Sequence, residues 1–193
     1  GRRIMRQALA FLKEGVFSGR DGVLVDGAGK PMAFEIMTKA ESEEKLAIAF
    51  KRTLEAIGVQ VSIRSVDDAQ YQRRTQQFDY DMILATFASS LSPGAEQEFR
   101  WASASRNLEG SFNYAGAADP AIDAMIAAVL AARTGDEFTA AVRALDRVLL
   151  SGFYVVPLFH LSGQWIAYWT RLAHPERTAL FGVQYPTWWQ RKD

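Results

Sequence analysis

The chain has no cysteine in its 193 residues. That removes disulfides, thiolate nucleophiles and cysteine metal sites. It leaves the compartment open, because a secreted domain of this size folds without disulfides. Neither sign of charge is in excess, with 22 Lys and Arg against 22 Asp and Glu. Without a net positive field, nucleic acid and anionic membrane surfaces are not expected partners. No apolar run approaches the roughly 20 residues that span a bilayer. Histidine is scarce: His160 lies between Phe159 and Leu161, and His174 precedes Pro175. Neither sits in HExxH or another ligand spacing, so both read as structural or surface residues. No GxSxG elbow surrounds Ser89, Ser90 or Ser92. The carboxylates left to consider are Asp79 and Asp81 in FDYDM. They could hold a metal for an enzyme, but at a strand entrance such residues more often bond nearby backbone amides. No catalytic residue, metal or cofactor is therefore expected.

What is present reads as an ordinary globular α/β protein, 49% hydrophobic and 23% charged. The opening GRRIMRQALAFLKEG lacks a leader pattern and reads as mid-protein, so the chain is expected to be a piece of something larger. Its first helix carries Ile4, Ala8, Phe11 and Leu12 on one face and stops at Gly15. Asp26 to Pro31, between short apolar runs, reads as a hairpin turn, since its glycines match neither GxxxxGK[ST] nor GxGxxG. From Phe34 the pattern is strand, helix, strand, helix, strand. Ser42 is the expected cap of the first of these helices, whose core face is Leu46, Ala49, Phe50, Leu54 and Ile57 before Gly58. VQVSIRSV alternates as a strand, Asp67 or Asp68 caps the next helix, and DMILATF suits a buried strand. Such βαβαβ units make a mostly parallel sheet. Two helices follow. One begins at Asp119-Pro120 with an Ile122, Met125, Ile126, Val129, Leu130 stripe. The other opens with a Thr134/Glu137 capping box and buries Phe138, Ala141, Val142, Leu145, Val148 and Leu149. YVVPLFHLSGQWIAYW reads as extended structure, and with no repeat or linker the whole of 1–193 reads as one domain.

The most informative stretch is FDYDMILATFASSLSPGAEQEFRW, residues 78–101. In open α/β sheets, ligands lie beyond the carboxyl ends of strands, where loops of small residues let them approach the backbone. Ser89, Ser90 and Ser92 supply hydroxyls there, Gly94 allows unusual backbone geometry, and Phe87 and Trp101 can supply apolar walls. The pattern alone also permits an ordinary connection with Trp101 in the core. A pure protein-interaction module is a third class that these residues permit.

SLSPGAEQEFRWASAS, GSFNYAG, DPAIDAMI, AAVRALDRVLLSGFYVVPLFH and the closing PTWW, in that order, resemble the C-terminal part of family 5 extracellular solute-binding proteins, nearest the Yej-type peptide importers. The resemblance implies a type II periplasmic binding protein-like lobe, with the N-terminal lobe absent. It further implies a monomeric periplasmic receptor that closes two lobes on a peptide and delivers it to the membrane permease of an ABC transporter. The loop from Phe87 through Trp101 would then face the interlobe cleft, with Asn113 of NYAG beside it and Trp101 lining the cleft. Where dipeptide and oligopeptide binders carry an Asp for the peptide amino group, this chain has Ser89. A non-peptide solute such as an opine or oligosaccharide is the alternative ligand.

Overall fold

The computed structural model describes residues 2–15, 17–87 and 92–191. Where the sequence reads as one unit, the chain divides into two, residues 1–154 and 155–193.

The first unit opens with helix α1 (Arg2–Glu14). The face it buries matches the expected one only in part, at Leu12. Ile4 and Phe11 are 64% and 73% exposed, and Leu9 and Leu12 pack inward. Two overlapping stripes satisfy the 3.6-residue period here, and packing chooses the one that includes Leu9. Strands β1 (Ser18–Arg20) and β2 (Val23–Val25) form an antiparallel hairpin. Its two-residue turn, Asp21-Gly22, has φ of 49° and 81°. That is the left-handed pair a twisted hairpin demands, and Asp-Gly supplies it. The expected Asp26–Pro31 hairpin is instead a tight turn behind a single Val25–Pro31 bridge. The Asp26 carboxylate holds it by accepting from the amides of Ala28 and Lys30.

A parallel sheet follows, formed by β3 (Ala33–Thr38), β4 (Gln60–Ser65) and β5 (Met82–Ile83) in the order β4-β3-β5. Register runs from Ala33↔Gln60 to Thr38↔Ser65 on one side and through Ile36↔Met82 on the other. Helix α2 (Glu41–Glu55) joins β3 to β4, and α3 (Asp68–Gln76) joins β4 to β5. Ser42 does not cap α2. The helix starts at Glu41 and its N-cap, Ala40, makes no side-chain bond. The Glu43 carboxylate reaches back to accept from the Lys39 amide at 2.9 Å instead. The α2 residue pressed into the core is Ala47, while Leu46 is 40% exposed. A methyl side chain lets the helix backbone come close to the sheet, and the larger Phe50 and Leu54 flank it. Gly58 ends the connection at φ +88°, and a Cβ there would stand 2.9 Å from the Leu24 amide nitrogen. Only glycine allows β2 to bond at that point, through Leu24 N–H to the Gly58 carbonyl at 2.8 Å. Asp67 caps α3 as expected, accepting from the Gln70 amide.

After α4 (Glu96–Trp101), a helix absent from the sequence reading, come α5 (Pro120–Ala131) and α6 (Gly135–Ser151). The Asp119 cap, the proline at the first turn of α5 and the Thr134/Glu137 capping box are all formed. Ile122, Ile126, Val129 and Leu145 build a second core between these helices, separate from the sheet core of Leu24, Ile36, Ala47, Val59 and Val61. Each fully buried branched side chain contributes about 1.5–3 kcal/mol, so each cluster is a substantial anchor.

In the second unit, residues 155–169 carry no regular secondary structure, and β6 (Leu172–Ala173) pairs antiparallel with β7 (Trp189–Gln190). Trp188 gathers Tyr168, His174 and Tyr185 at ring separations of 4.9–5.5 Å. His174 Nδ1 donates to the Pro175 carbonyl at 2.9 Å, and its Nε2 lies 2.9 Å from the Tyr168 hydroxyl.

Candidate functional site

The sheet order puts β3 in the middle although it comes first in the chain, so the connections leave its two flanks in opposite directions. Ile36 packs with Ala47 of α2. Lys39, just past the end of β3, holds its ammonium 4.9 Å over the Tyr71 ring of α3. Right-handed crossovers, first to β4 and then back across to β5, put the two helices on opposite faces, and the sheet's switch point falls at the carboxyl ends of β3 and β5, the end at which an open α/β sheet takes its ligands. A recess of about 600 Å³ lined by Ala33, Glu35, Gln60 and Asp81 lies at the other, amino, end of the strands.

β5 leads from Ile83 through Leu84 to Phe87. Ser89 and Ser90 lie outside the described residues, and Ser92 is exposed. The chain then enters α4, whose start is held by the Glu96 carboxylate, accepting from the Gly94 amide at 3.0 Å through both oxygens. Trp101 closes α4. Its ring stacks on Phe87 with centroids 5.7 Å apart and planes 11° from parallel. Tyr154 leans on it at 6.4 Å. Phe87 is 42% exposed, whereas Trp101 is half-buried and packs against the α5/α6 core. Trp101 therefore belongs in part to the helical core, while its ring also stacks on the more exposed Phe87. The sequence reading missed Tyr154. Its signal was Gly152, where a Cβ would collide with the Tyr154 ring.

Asn113 differs from its expected place beside the cleft. It is fully buried. Its Nδ2 donates to the carbonyls of Ala102 (3.2 Å) and Ala117 (2.9 Å) and to Ser105 Oγ (3.2 Å), and its Oδ1 accepts from the Ala117 amide (2.8 Å). Both polar ends are spent inside the chain. Because Ala102 directly follows Trp101, this bracket fixes the end of α4 and with it the Trp101 ring. Ser111 extends the bracket by donating to the Ser105 carbonyl at 2.7 Å.

Two tyrosines tie the strand ends to their surroundings. Tyr71 donates to the Leu84 carbonyl at 2.9 Å, holding the exit of β5 against α3. Tyr80 donates to the Tyr114 carbonyl at 3.0 Å. Burial pushes both phenols up to about 12, assisted by the Glu43 charge for Tyr71 and by Tyr114 for Tyr80. Asp79 and Asp81 do not converge on a common point. Asp81 accepts from the Glu35 amide at 2.9 Å, and Asp79 meets Arg74 at 3.3 Å. Among the described residues no group of three or more His, Cys, Asp or Glu could hold a metal ion. No helix among them is long and apolar enough to cross a membrane.

The aromatic pair of Phe87 and Trp101 thus stands where the chain leaves β5. Residues 5–108 match the profile of the bacterial extracellular solute-binding proteins, family 5, in its Middle section. The chain belongs to this family. A relative from Brucella suis biovar 1 is 59% identical over 184 residues, covering 95% of this chain and 30% of the relative. The peptidoglycan-binding protein YepA of Agrobacterium fabrum is 49% identical over 191 residues, covering 99% of this chain and 31% of its own length. The chain thus spans about a third of the length of these relatives. Among solved structures, the oligopeptide-binding protein AppA of Bacillus subtilis, in complex with a nonapeptide, superposes with a TM-score of 0.65 at 18% identity, over 75% of this chain and 29% of AppA. That likeness establishes the fold, a type II periplasmic binding protein lobe with a parallel sheet and flanking helices.

Proposed function

We propose that this chain is the C-terminal, ligand-holding lobe of a periplasmic receptor that captures peptides and hands them to the membrane permease of an ABC transporter. The observation that carries the reading is the exit of β5 at the sheet's switch point into the Phe87 and Trp101 stack. Capture would come from closure of two lobes, with loop hydroxyls and backbone groups of Ser89, Ser90 and Ser92 bonding the ligand main chain and Phe87 with Trp101 covering its apolar part. Asn113 would act behind the site, holding Trp101 in place, and the receptor would work as a monomer without a cofactor.

Within the peptide class, the exposed aromatic surface and the name of the 49% identical relative YepA favour a peptide derived from peptidoglycan. Aromatic faces also suit sugar rings, which keeps an oligosaccharide as the second reading. Thermal melts of the full-length receptor with a peptidoglycan stem peptide, an ordinary tripeptide and a linear hexasaccharide distinguish these. A ligand at about 100 times its Kd adds about 2.7 kcal/mol to stability. The stem peptide is expected to raise the melting temperature most. A rise with the hexasaccharide alone would overturn the peptide reading.

A further inference from the structure

The chain that leaves β5 carries no Asp, Glu, Lys, Arg or His from Met82 to Ala95. A charge reaches that exit from the neighbouring strand instead. β3 pairs with β5 in the register Met37↔Ile83. Carried two residues further, that register puts Lys39 level with Ala85, two residues before Phe87. The Lys39 ammonium stands 4.9 Å over the Tyr71 ring. Tyr71 is itself buried and donates to the Leu84 carbonyl at 2.9 Å. One side chain thus holds the exit of β5 with its hydroxyl and a cation with its ring face.

A ring face positions an ammonium without neutralising it. The acids in the first turn of α2 are the groups that could do so, and two of them are turned to other partners. Glu43 accepts from the Lys39 backbone amide at 2.9 Å, and Glu41 pairs with Lys45 at 2.7 Å. Among the described residues no carboxylate forms an ion pair with Lys39. We infer that Lys39 takes a carboxylate of the bound ligand and is the residue by which this site selects an acidic peptide. The inference rests on the peptide reading above and deepens it. A carboxylate that meets the ring-held ammonium gains a charge-assisted hydrogen bond. It does so at little cost in side-chain entropy, because Tyr71 has already ordered the lysine. A peptidoglycan stem peptide, which carries several carboxylates, offers such a group.

Calorimetric titration of the full-length receptor tests it, with a peptidoglycan stem tripeptide and with the same tripeptide carrying primary amides in place of its carboxylates. Lys39→Gln is expected to weaken binding of the acid form about 10- to 100-fold, the range of a lost hydrogen bond to a charged group. Lys39→Arg, which keeps the charge, is expected to stay within about 3-fold of wild type. The amide form is expected to bind wild type and Lys39→Gln alike, a split between ligand forms that a purely structural lysine would not produce. An equal loss for both forms would overturn the inference, as would equal affinity of the wild type for acid and amide. Unchanged affinity of Lys39→Gln for the acid form would overturn it too, while leaving the peptide reading in place. Binding of a linear hexasaccharide with no heat from the stem tripeptide would overturn both.

Discussion

Replacing Asn113 with Ala separates a structural bracket from a ligand contact. The Ala117 amide, 2.8 Å from Oδ1 in a fully buried setting, would lose its acceptor. The Ala117 carbonyl would lose the Nδ2 donor at 2.9 Å. The Ala102 carbonyl would not be orphaned, because Ser105 still donates to it from Oγ at 2.8 Å and from its amide at 3.0 Å. One buried donor left unpaired costs about 1–3 kcal/mol, and the space vacated by the amide adds to that, so the total is about 3 kcal/mol. For a chain of this size, that is a fall in melting temperature of roughly 10 °C. With a urea slope of about 2 kcal/mol per molar, the midpoint would drop by about 1.5 M. Asn113→Asp should not rescue it. It keeps an acceptor for Ala117 but loses three donated bonds and buries a charge. Urea melts followed by circular dichroism read the effect. A midpoint within about 0.3 M of wild type, combined with weakened ligand capture by the full receptor, would refute the bracket and return Asn113 to the binding surface.

Trp101→Ala is expected to cost about 2 kcal/mol, below the roughly 3–5 of a fully buried aromatic, and Phe87→Ala less than about 1; a Trp101 loss above about 4 kcal/mol in the same melts would make it purely core. Tyr71 and Tyr80 ionise only toward about 12 in the folded chain, against 10.0 when exposed, so their stabilisation is complete below about pH 10 and is lost as pH rises through 12. Phenolate absorbance of the folded chain should show part of the tyrosine signal titrating well above 10, and a single wave near 10 would contradict the burial of Tyr71 and Tyr80.

The βαβαβ pattern was legible because periodicity and caps act locally. Asp67, Asp119 and Thr134 each accept from an amide within their own first helical turn, and no distant residue enters that bond. Where a choice depended on what packs opposite, the sequence was silent or misleading. Ile4 and Phe11 fit the α1 period as well as Leu9 and Leu12 do, and only the position of the sheet core decides between them. Ser42 is a better intrinsic cap than Ala40, yet α2 begins two residues earlier, where the Glu43 carboxylate serves the Lys39 amide. Helix α4 went unread because six residues are too few to show a period.

The site divides along the same line. Its location follows from strand order, which the alternation of strand and helix signals implies. The role of a polar residue such as Asn113 does not, because NYAG looks the same whether its amide faces a ligand or the carbonyls of Ala102 and Ala117. Trp101 ties the proposed site to the folding of the helical core. The bracket that satisfies Asn113 sets the residue after Trp101, the α5/α6 core supports the ring, and Phe87 stacks on it. A change in the helical core such as Ile126→Ala would therefore loosen the Phe87–Trp101 stack from behind, reaching Phe87 only through the Trp101 ring.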